Sequence, residues 1–483
     1  MVTVSNVRAI VGVAGFALAF ANFATNSGAR AETIESALVR SYQNNPQLNA
    51  QRASVRAIDE QVPQALSGYR PKISVTASAA TQYLDSLQTT PAIRLQNVYP
   101  QTLAQNGRTI SGLAGFDGTR SFGGTLTQNF FNGFVTANNT RKAESNVSSQ
   151  REALRVLEQT VLLAAATIYM DYLRDSAIVE VNRSNVRVLE QTLKQTQDRF
   201  NVGEVTRTDV AQSQAQLAAG QTQLQTAISN LTTTAANYRK TIGVEPVALA
   251  PGSPVDRVLP RGLPAAIEVG LIENPNVTSA MYGIDVAFLA VKVAEGALFP
   301  TLNGVLSVAQ TYETTLISNR SLLASAGLQL TVPVYQGGGE YALIRQSKET
   351  LAQQRLVLDQ TRDQTRATVV QSWGQLEAGK AQVVSAQAQV TASETALNGV
   401  REEARVGQRT TLDVLNAQQA LVNARVALVT AQHDRVVASY SVLAAIGRLG
   451  PVALGLPTTI YDPSVHYHQV RDSWGGLRTP DGH

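Results

Sequence analysis

Apolar and polar residues alternate with a period of two in four short stretches, which begin near Ile73, Ser121, Leu302 and Leu322. This period places apolar side chains on one face of a β-strand and polar side chains on the other. Each stretch has about 10–14 residues, close to the length of a tilted membrane-spanning strand. Aromatic residues near their ends suit the interfaces of a membrane barrel; they are Tyr83, Phe130, Phe131, Tyr312 and Tyr335. The pattern predicts membrane-spanning strands or, alternatively, an ordinary antiparallel sheet in a soluble domain.

Two much longer stretches have the composition of helices. Residues 135–200 and 340–405 contain no proline and are rich in Ala, Gln, Leu, Arg and Glu. Each precedes a turn and a returning helical stretch, 207–242 or 411–446, in which apolar residues recur every seven positions until Arg435 interrupts the second series. A seven-residue period is typical of helices that supercoil in pairs. Many neighbours of these apolar residues are small, so each seam between two helices is thin and a helix needs more than one. This favours a closed ring of helices; a fibrous coiled-coil rod is the alternative.

The chain is internally duplicated. The pattern V-G-x-x-T-x-x-D-V occurs at 202–210 and at 406–414, and the same offset of 204 gives 12 identities in 45 pairs between 199–243 and 403–447. We therefore predict repeat one at 32–243 and repeat two at 264–447. Nearer the start of each repeat the offset is 229, as shown by Asn45-Pro46 with Asn274-Pro275. The extra 25 residues fit a long loop over 85–118, which is rich in Gly, Asn, Gln, Thr and Pro.

The N-terminus has the pattern of an export signal. Arg8 precedes an apolar stretch over 9–23, and Ala29-Arg30-Ala31 matches a small-x-small cleavage site. This predicts a signal peptide at 1–31; a single membrane anchor is the alternative. Among the remaining stretches the most apolar, 161–170, is too short to span a bilayer as a helix. The mature chain is thus expected to be soluble or to enter a membrane as strands.

Composition narrows the functional classes. Lys and Arg number 40 against 36 Asp and Glu, a near-balance that argues against a nucleic-acid partner. With no cysteine, a disulfide scaffold, a thiol nucleophile and a lipidated N-terminal Cys are excluded. Motifs of nucleotide-binding loops, zinc proteases and serine hydrolases are missing, so we predict no enzyme and no cofactor. The tail 461–483 contains His466, His468 and His483 but no supporting acid cluster, and is expected to be loosely ordered or wrapped on the belt, without a metal site.

Four strands cannot close a barrel by themselves, and open strand edges are not tolerated in lipid. Two chains would supply eight strands and a filled barrel, whereas three would supply twelve and leave room for a channel. The predicted fold class is therefore an α+β membrane protein in which two or three copies share one barrel. The family resemblance described next implies three copies, with a 12-stranded β-barrel continued by a periplasmic α-helical barrel.

With this layout the chain resembles the TolC family of outer-membrane efflux and secretion channels over residues 32–460. The resemblance rests on five kinds of motif: Asn45-Pro46 with Pro71, both V-G-x-x-T-x-x-D-V turns, Phe131-Asn132-Gly133-Phe134, Tyr335-Gln336-Gly337-Gly338 and the stretch 410–417. It implies a homotrimer in the outer membrane of a Gram-negative bacterium, with an equatorial belt made by 244–275 and 448–460. The implied partners are a periplasmic adaptor (membrane fusion) protein and an inner-membrane pump of the RND or ABC type.

The implied function is the exit duct of a tripartite efflux pump or type I secretion system, and the cargo stays open among drugs, bile salts or other toxic compounds and proteins. A periplasmic coiled-coil adaptor or structural rod is the alternative, and the long helices disfavour a passive porin-like pore. By the same resemblance Val202-Gly203 and Val406-Gly407 would be adaptor docking turns. The alternative reading of both glycines is an ordinary helix C-terminus.

The resemblance also assigns a constriction and a gate. Asp413 matches an aspartate that rings the pore, and Asn416 stands where the family often has a second acid. Arg409 matches a gate arginine, and Thr208-Asp209 match its partners, whereas Ala404 replaces the gate tyrosine. The structural alternatives are that Asp209 and Asp413 cap their helices, in the pattern T-x-x-D, and that Arg409 is a solvated surface charge.

Overall fold

The structure, a computed structural model of one chain, describes residues 31–91, 103–105, 108–315, 318–480 and 482. The predicted signal peptide lies outside the described residues apart from Ala31. The helices are α1 (Ile34–Asn44), α2 (Pro46–Asp59), α3 (Gln61–Leu66), α4 (Val135–Asn201), α5 (Arg207–Ile242), α6 (Leu263–Glu273), α7 (Pro275–Gly296), α8 (Gly339–Arg405), α9 (Thr411–Ala445) and α10 (Pro463–Val470). The strands are β1 (Lys72–Pro91), β2 (Leu103–Gln105), β3 (Arg108–Asn132), β4 (Thr301–Thr315) and β5 (Ser318–Thr331).

The four long strands form one antiparallel sheet in the order β1-β3-β4-β5, and β2 pairs with β3. Both repeats thus contribute one hairpin, and β3 of the first pairs with β4 of the second. Within the described residues, β1 and β5 are the outer strands of this sheet. The four predicted strands are confirmed.

The predicted long loop over 85–118 is wrong where the structure describes it. β1 continues to Pro91 and β3 begins at Arg108, with antiparallel pairing from Asp85↔Ala114 to Pro91↔Arg108. Antiparallel pairing uses backbone groups, so a hairpin continues through residues whose side chains show no alternation. The extra residues of repeat one therefore lengthen its hairpin.

The predicted helices agree with the structure to within one residue at each end. α4 and α8 have 67 residues each, about 100 Å at ~1.5 Å per residue. α5 returns along α4, and α9 returns along α8. We call the pair formed by α5 and the second half of α4 the first hairpin, and the pair formed by α9 and the second half of α8 the second hairpin.

The deepest seam of these helices is made of small or polar residues as often as of large apolar ones. In α5 the predicted heptad residues are only half-buried between Val210 and Leu231, whereas a second series seven apart is buried. That series is Ser213, Gly220, Ala227 and Thr234. α8 buries a similar series, Ile344, Leu351, Leu358, Thr365, Ser372, Gly379 and Ala386. A Cβ on Gly379 would lie 3.3 Å from the Cα of Arg435, so glycine there lets α8 and α9 approach closely.

The main apolar core lies around the middle of the long helices. It joins α1, the centre of α4 and the ends of α5 and α9. Residues of 244–275 pack against it, and Leu449 and Leu456 belong to it. Glu32 forms a parallel bridge to Leu249, which ties the start of the described chain to this level. These segments surround the helices at mid-length; their role as the belt of an assembled trimer stays a prediction.

Two helical stretches, Val135–Asn201 and Leu263–Gly296, are long and apolar enough to cross a membrane by length and composition alone. The expectation that no helix qualifies was therefore too narrow, because it required an uninterrupted apolar run. In α4 the apolar stretch includes Leu162 and Tyr169, which are fully buried in the main core. The second stretch is divided by Asn274, whose extended backbone separates α6 from α7.

The C-terminal tail packs on α2 and α4. His466 of α10 is buried, and its Nδ1 lies 3.0 Å from Oδ2 of the fully buried Asp59. The Arg151 guanidinium stacks on the Tyr467 ring at 5.0 Å. Arg471 forms an ion pair with Glu144 at 3.2 Å. His466 is thus occupied by a carboxylate of the fold, and within the described residues no cluster of three or more His, Asp or Glu is placed to hold a metal ion.

Candidate functional site: the two helical tips

Each helical hairpin ends in a glycine turn. Gly203 and Gly407 have φ of 83° and 81°, in the left-handed region that glycine adopts without strain. The amide of Glu204 donates to the Arg199 carbonyl at 2.9 Å, and the amide of Gln408 makes the equivalent bond to Glu403. Both glycines therefore form ordinary helix C-termini, as the structural alternative predicted. We call residues 202–206 the first tip and residues 406–410 the second tip.

Both tips present apolar side chains to the outside. Val202 and Val406 are each 71% exposed. Nothing lies within 4 Å of the place where a Cβ on Gly203 or Gly407 would be. The turns thus leave backbone and one valine each open to a partner, and the docking role of these four residues stays a prediction.

Both aspartates that follow the tips close capping boxes. Oδ2 of Asp413 accepts from the Thr410 amide at 2.9 Å and from its hydroxyl at 2.8 Å, while the Asp413 amide donates back to that hydroxyl. Asp209 repeats this arrangement with Thr206. The backbone hydrogen bond from Thr410, then its hydroxyl, hold the pKa of Asp413 below its ordinary value. For Asp209 the hydroxyl of Thr206 contributes most to lowering the pKa. Both carboxylates are therefore charged near neutral pH.

The pore-constriction candidates lie on the first turns of α9. Asp413 is half-buried, and Asn416, one turn later on the same face, is exposed. The capping role of Asp413 uses one carboxylate oxygen and leaves its charge available to the surroundings. Capping and a role in the pore are thus compatible for the same residue.

Arg409 has a partner inside the second hairpin. Its Nε donates to Oε2 of Glu403 at 2.9 Å, with both side chains about half exposed. This hydrogen bond raises the pKa of Arg409, so the guanidinium stays charged. Among the described residues no hydrogen bond or ion pair joins Arg409 to Thr208 or Asp209, and Thr208 is exposed. The gate link stays a prediction for the assembled protein.

Above the tips, polar side chains join the two hairpins. Gln418 of α9 is buried; its Nε2 donates to Oδ1 of Asn185 at 3.3 Å, and its Oε1 accepts from Arg401 at 3.1 Å. Gln216 donates to Gln419 at 3.3 Å. These contacts could not be predicted from the sequence, because glutamine is an ordinary residue on the solvated face of a helix.

A charged cluster joins the hairpins again near the main core. Nε2 of His433 lies 2.9 Å from Oδ1 of Asp171 on α4, and its Nδ1 lies 2.8 Å from Asp434. The contact with Asp171 is an ion pair when the imidazole is protonated. Arg174 bridges Asp171 and Asp175, and Asp175 accepts from the Thr234 hydroxyl of α5 at 2.6 Å.

This cluster shifts the pKa values of His433 and Asp171. Burial alone would lower the pKa of His433, but the contacts with Asp171 and Asp434 outweigh it, and the pKa is raised. Burial alone would raise the pKa of Asp171, and the contacts with His433 and Arg174 reverse the sign. Sequence reasoning did not identify His433 as part of a cluster. The one available signal was Asp171, an acid that directly follows the apolar stretch 161–170.

Comparison with known proteins assigns this architecture to a family. The profile of a family described as outer membrane efflux protein matches residues 37–244 and 266–448. The outer membrane efflux protein BepC of Brucella suis biovar 1 (strain 1330) is 39% identical over 460 residues, 95% of this chain and 94% of that protein. The outer membrane protein TolC of Escherichia coli (strain K12) is 24% identical over 310 residues, 60% and 62% of the two chains.

Solved structures share the fold at low sequence identity. The outer membrane channel CmeC of Campylobacter jejuni superposes with a TM-score of 0.73 at 16% identity, covering 91% of this chain and 89% of that one. The CusC channel gives 0.71 at 15% identity, covering 86% and 91%. The predicted resemblance, the α+β membrane fold and the location are confirmed, whereas the trimer stays a prediction. The chain belongs to the outer membrane efflux protein family, whose members are channels, and it lies in the outer membrane with a periplasmic helical portion.

Proposed function

We propose that three copies of this chain form a closed duct, which serves as the outer-membrane exit of an efflux pump or type I secretion system. The observation that carries the proposal is an amphipathic sheet with two open edges. Each copy supplies four long strands, so three copies supply the twelve of a channel-sized barrel. The duct itself needs no catalysis, because energy would come from the pump.

The strand register sorts apolar and polar side chains onto opposite faces. One row across all four strands contains Ile73, Leu126, Leu306 and Ala326. The adjacent row, on the other face, contains Ser74, Thr125, Ser307 and Ser325. Hydroxyl pairs on this polar face lie 2.7 Å apart, Ser78 with Ser121 and Ser307 with Ser325. An apolar outer face and a polar inner face are what a water-filled barrel in lipid requires.

The apolar face has the height of a membrane. From Leu302 to Tyr312 the strand β4 advances ten residues, about 33 Å at ~3.3 Å per residue. A strand tilt of ~40° reduces this to ~25 Å, the height of the lipid-facing band in outer-membrane barrels. Phe131, Phe134 and Phe299 pack edge to face at the end where the strands meet the helices. This aromatic cluster suits the periplasmic interface of the membrane.

Open edges require other copies. β1 and β5 each have one side without a partner among the described strands, and unpaired backbone groups are not tolerated in lipid. The long helix α8 likewise has large apolar residues that are exposed in the described part of the chain, such as Leu356 at 70% and Val384 at 71%. Copies joined edge to edge would pair the strands and cover such helical faces together. A soluble adaptor or rod explains neither the amphipathic sheet nor its open edges.

The tips then face the inner membrane. We infer that the first and second tips dock a periplasmic adaptor through Val202-Gly203 and Val406-Gly407, which are exposed at both turns. Three copies of Asp413 around a common axis would favour cations, with Asn416 adding no charge. Arg409 with Thr208-Asp209 would hold this end closed. An inner-membrane pump of the RND or ABC type completes the assembly.

Disruption of the gene tests the function and separates its two forms. An efflux duct predicts that the mutant becomes sensitive to detergents, bile salts and drugs, whereas a secretion duct predicts loss of specific proteins from the medium. Complementation with the intact gene should restore the lost phenotype. A mutant unchanged in both respects, when no second duct gene is expressed, would contradict the proposal.

A further inference from the structure

The C-terminal tail beyond α10 carries an exposed apolar patch at the level where the strands begin. Trp474 is 73% exposed and Leu477 is fully exposed. Indole is a side chain that collects at membrane–water interfaces, where its ring lies among headgroups and its N–H stays hydrated. An exposed tryptophan in a tail that is otherwise fastened to the fold therefore indicates a contact outside this chain.

The patch is fixed in place by residues that lead into β1. The Arg70 guanidinium lies 4.8 Å from the centre of the Trp474 ring and donates to the Ser473 carbonyl. Arg70 precedes the first residue of β1, Lys72, by two positions. The carbonyl of Tyr69 accepts from Gln128 of β3 at 3.0 Å, which ties this segment to the end of the sheet.

The same level carries the aromatic cluster at the strand–helix junction. A Cβ on Gly68 would lie 2.6 Å from the Thr136 hydroxyl, so the segment before β1 packs against the first turn of α4. Phe131 and Phe134 lie directly before that turn, 5.3 Å apart. Trp474 is thus held beside a part of the molecule that already carries the residues of a membrane interface.

The charge around Trp474 is positive. Arg471 and Arg478 lie within a few residues of Trp474 along the chain, and Arg70 lies over its ring, against Asp472 and the Glu144 that pairs with Arg471. Arg478 and Lys72 are exposed. Basic side chains next to an interfacial aromatic complement the phosphates of lipid headgroups.

We propose that residues 473–478 form an interfacial anchor, in which Trp474 and Leu477 enter the periplasmic surface of the outer membrane and Arg70 and Arg478 contact phospholipid headgroups. The anchor would be a membrane contact separate from that of the barrel. The proposal rests on the proposed function, because it requires the strands to lie in the bilayer. It would fasten the level of α2, α4 and α10 to the membrane, since α10 is bound to Asp59 and Glu144.

The chain contains only two tryptophans, which makes the proposal testable by fluorescence. Trp373 packs against the main core at mid-length. In the W373F variant Trp474 is the single reporter, and in W474F Trp373 is a matched control. A third variant, W373F/W474F/F122W, reports on the apolar face of β3, where Phe122 lies in one row with Ala77, Gln310 and Leu322.

Each variant is reconstituted in nanodiscs of phosphatidylglycerol and phosphatidylcholine, with or without brominated acyl chains, which quench indole only on contact. We expect brominated lipid to reduce the emission of Trp474 and of the F122W reporter but not that of Trp373. Adding R70A and R478A to W373F should weaken the quenching of Trp474, and more so in discs rich in phosphatidylglycerol.

Two results would overturn the anchor while leaving the duct intact. If F122W is quenched but Trp474 is not and stays open to aqueous acrylamide, the tail lies in water. If Trp474 resists both quenchers, it is buried against protein, such as a neighbouring copy. If F122W itself escapes quenching, the strands are not in lipid, and both the barrel and the anchor fail.

Discussion

At the scale of single residues, the duplication supplies its own control for the proposed constriction. Asp209 and Asp413 cap equivalent helices with nearly identical geometry, so an Asp-to-Asn change in either alters the same hydrogen bonds from a threonine and removes one charge. Equal effects on stability are therefore expected from D209N and D413N. Only a carboxylate that faces the pore changes the ions that pass through it.

We predict that D413N lowers the cation selectivity of the channel, measured as the reversal potential in a salt gradient across a planar bilayer, and that D209N leaves it near that of the unmodified protein. Equal reversal potentials in the two variants would remove Asp413 from the pore.

Arg409 offers a second prediction at this scale. R409A should raise single-channel conductance in planar bilayers if the guanidinium holds the tips closed. R405A is the matched control, because Arg405 forms an exposed pair with Glu402 at the end of α8, directly before the second tip. E403Q removes the ion pair that Arg409 forms within one chain. It therefore distinguishes the role of Glu403 from that of the proposed gate partners, Thr208-Asp209. A conductance that is unchanged in R409A, or raised equally in R405A, would contradict the gate.

At the scale of whole elements, the cluster around His433 couples the two hairpins. Asp171 and Arg174 face the imidazole from α4, Asp434 lies beside it on α9, and Asp175 links onward to Thr234 of α5. A histidine whose pKa is raised on folding stabilises the fold fully below its unfolded value of ~6.5. This contribution is lost as the pH rises through the folded pKa. The lowered pKa of Asp171 has the opposite sign, so its contribution is lost only at acid pH.

We therefore predict that thermal stability of the detergent-solubilised protein falls as the pH rises above ~6.5 and through the raised pKa of His433, and that H433Q removes much of this fall. H468Q is the control, because His468 is exposed on α10. Unfolding monitored by circular dichroism across this range checks the prediction. A slope in H433Q as steep as that of H468Q would show that His433 does not link the hairpins.

The sequence predicts elements better than it predicts their contacts. Proline-free stretches bounded by glycine turns located α4, α5, α8 and α9 to within a residue, because both signals act locally. The extension of β1 to Pro91 was missed, because backbone pairing there depends on the partner strand rather than on alternating side chains. The buried series around Ser213 and Thr365 was also missed, since small polar residues become core only when a neighbouring helix approaches closely.

The candidate site shows the same division. The T-x-x-D pattern predicts both capping boxes, and both form. The pairing of Arg409 with Glu403 could not be predicted, because it depends on how the turn directs a flexible side chain. Gln418 and His433 escaped notice for a related reason: each is ordinary in sequence and acquires its role from a partner on a distant helix, Asn185 or Asp171.

At the scale of the whole molecule, the central claim is that copies of the chain close one barrel through β1 of one copy and β5 of the next. The absence of cysteine allows a direct test. Val75 on β1 and Ala324 on β5 lie in one row but three strands apart, about 14 Å at ~4.8 Å per strand, too far for a disulfide within a flat sheet.

The decisive measurement is a cysteine cross-linking scan of membranes that contain V75C combined in turn with L322C, A324C, A326C or L328C, because closing a barrel shifts the register between edges. The account predicts that at least one pair gives a ladder of one, two and three linked chains that ends at three, and that V75C alone gives none. A ladder that continues beyond three chains, or no linkage at any register, would contradict the closed trimeric barrel.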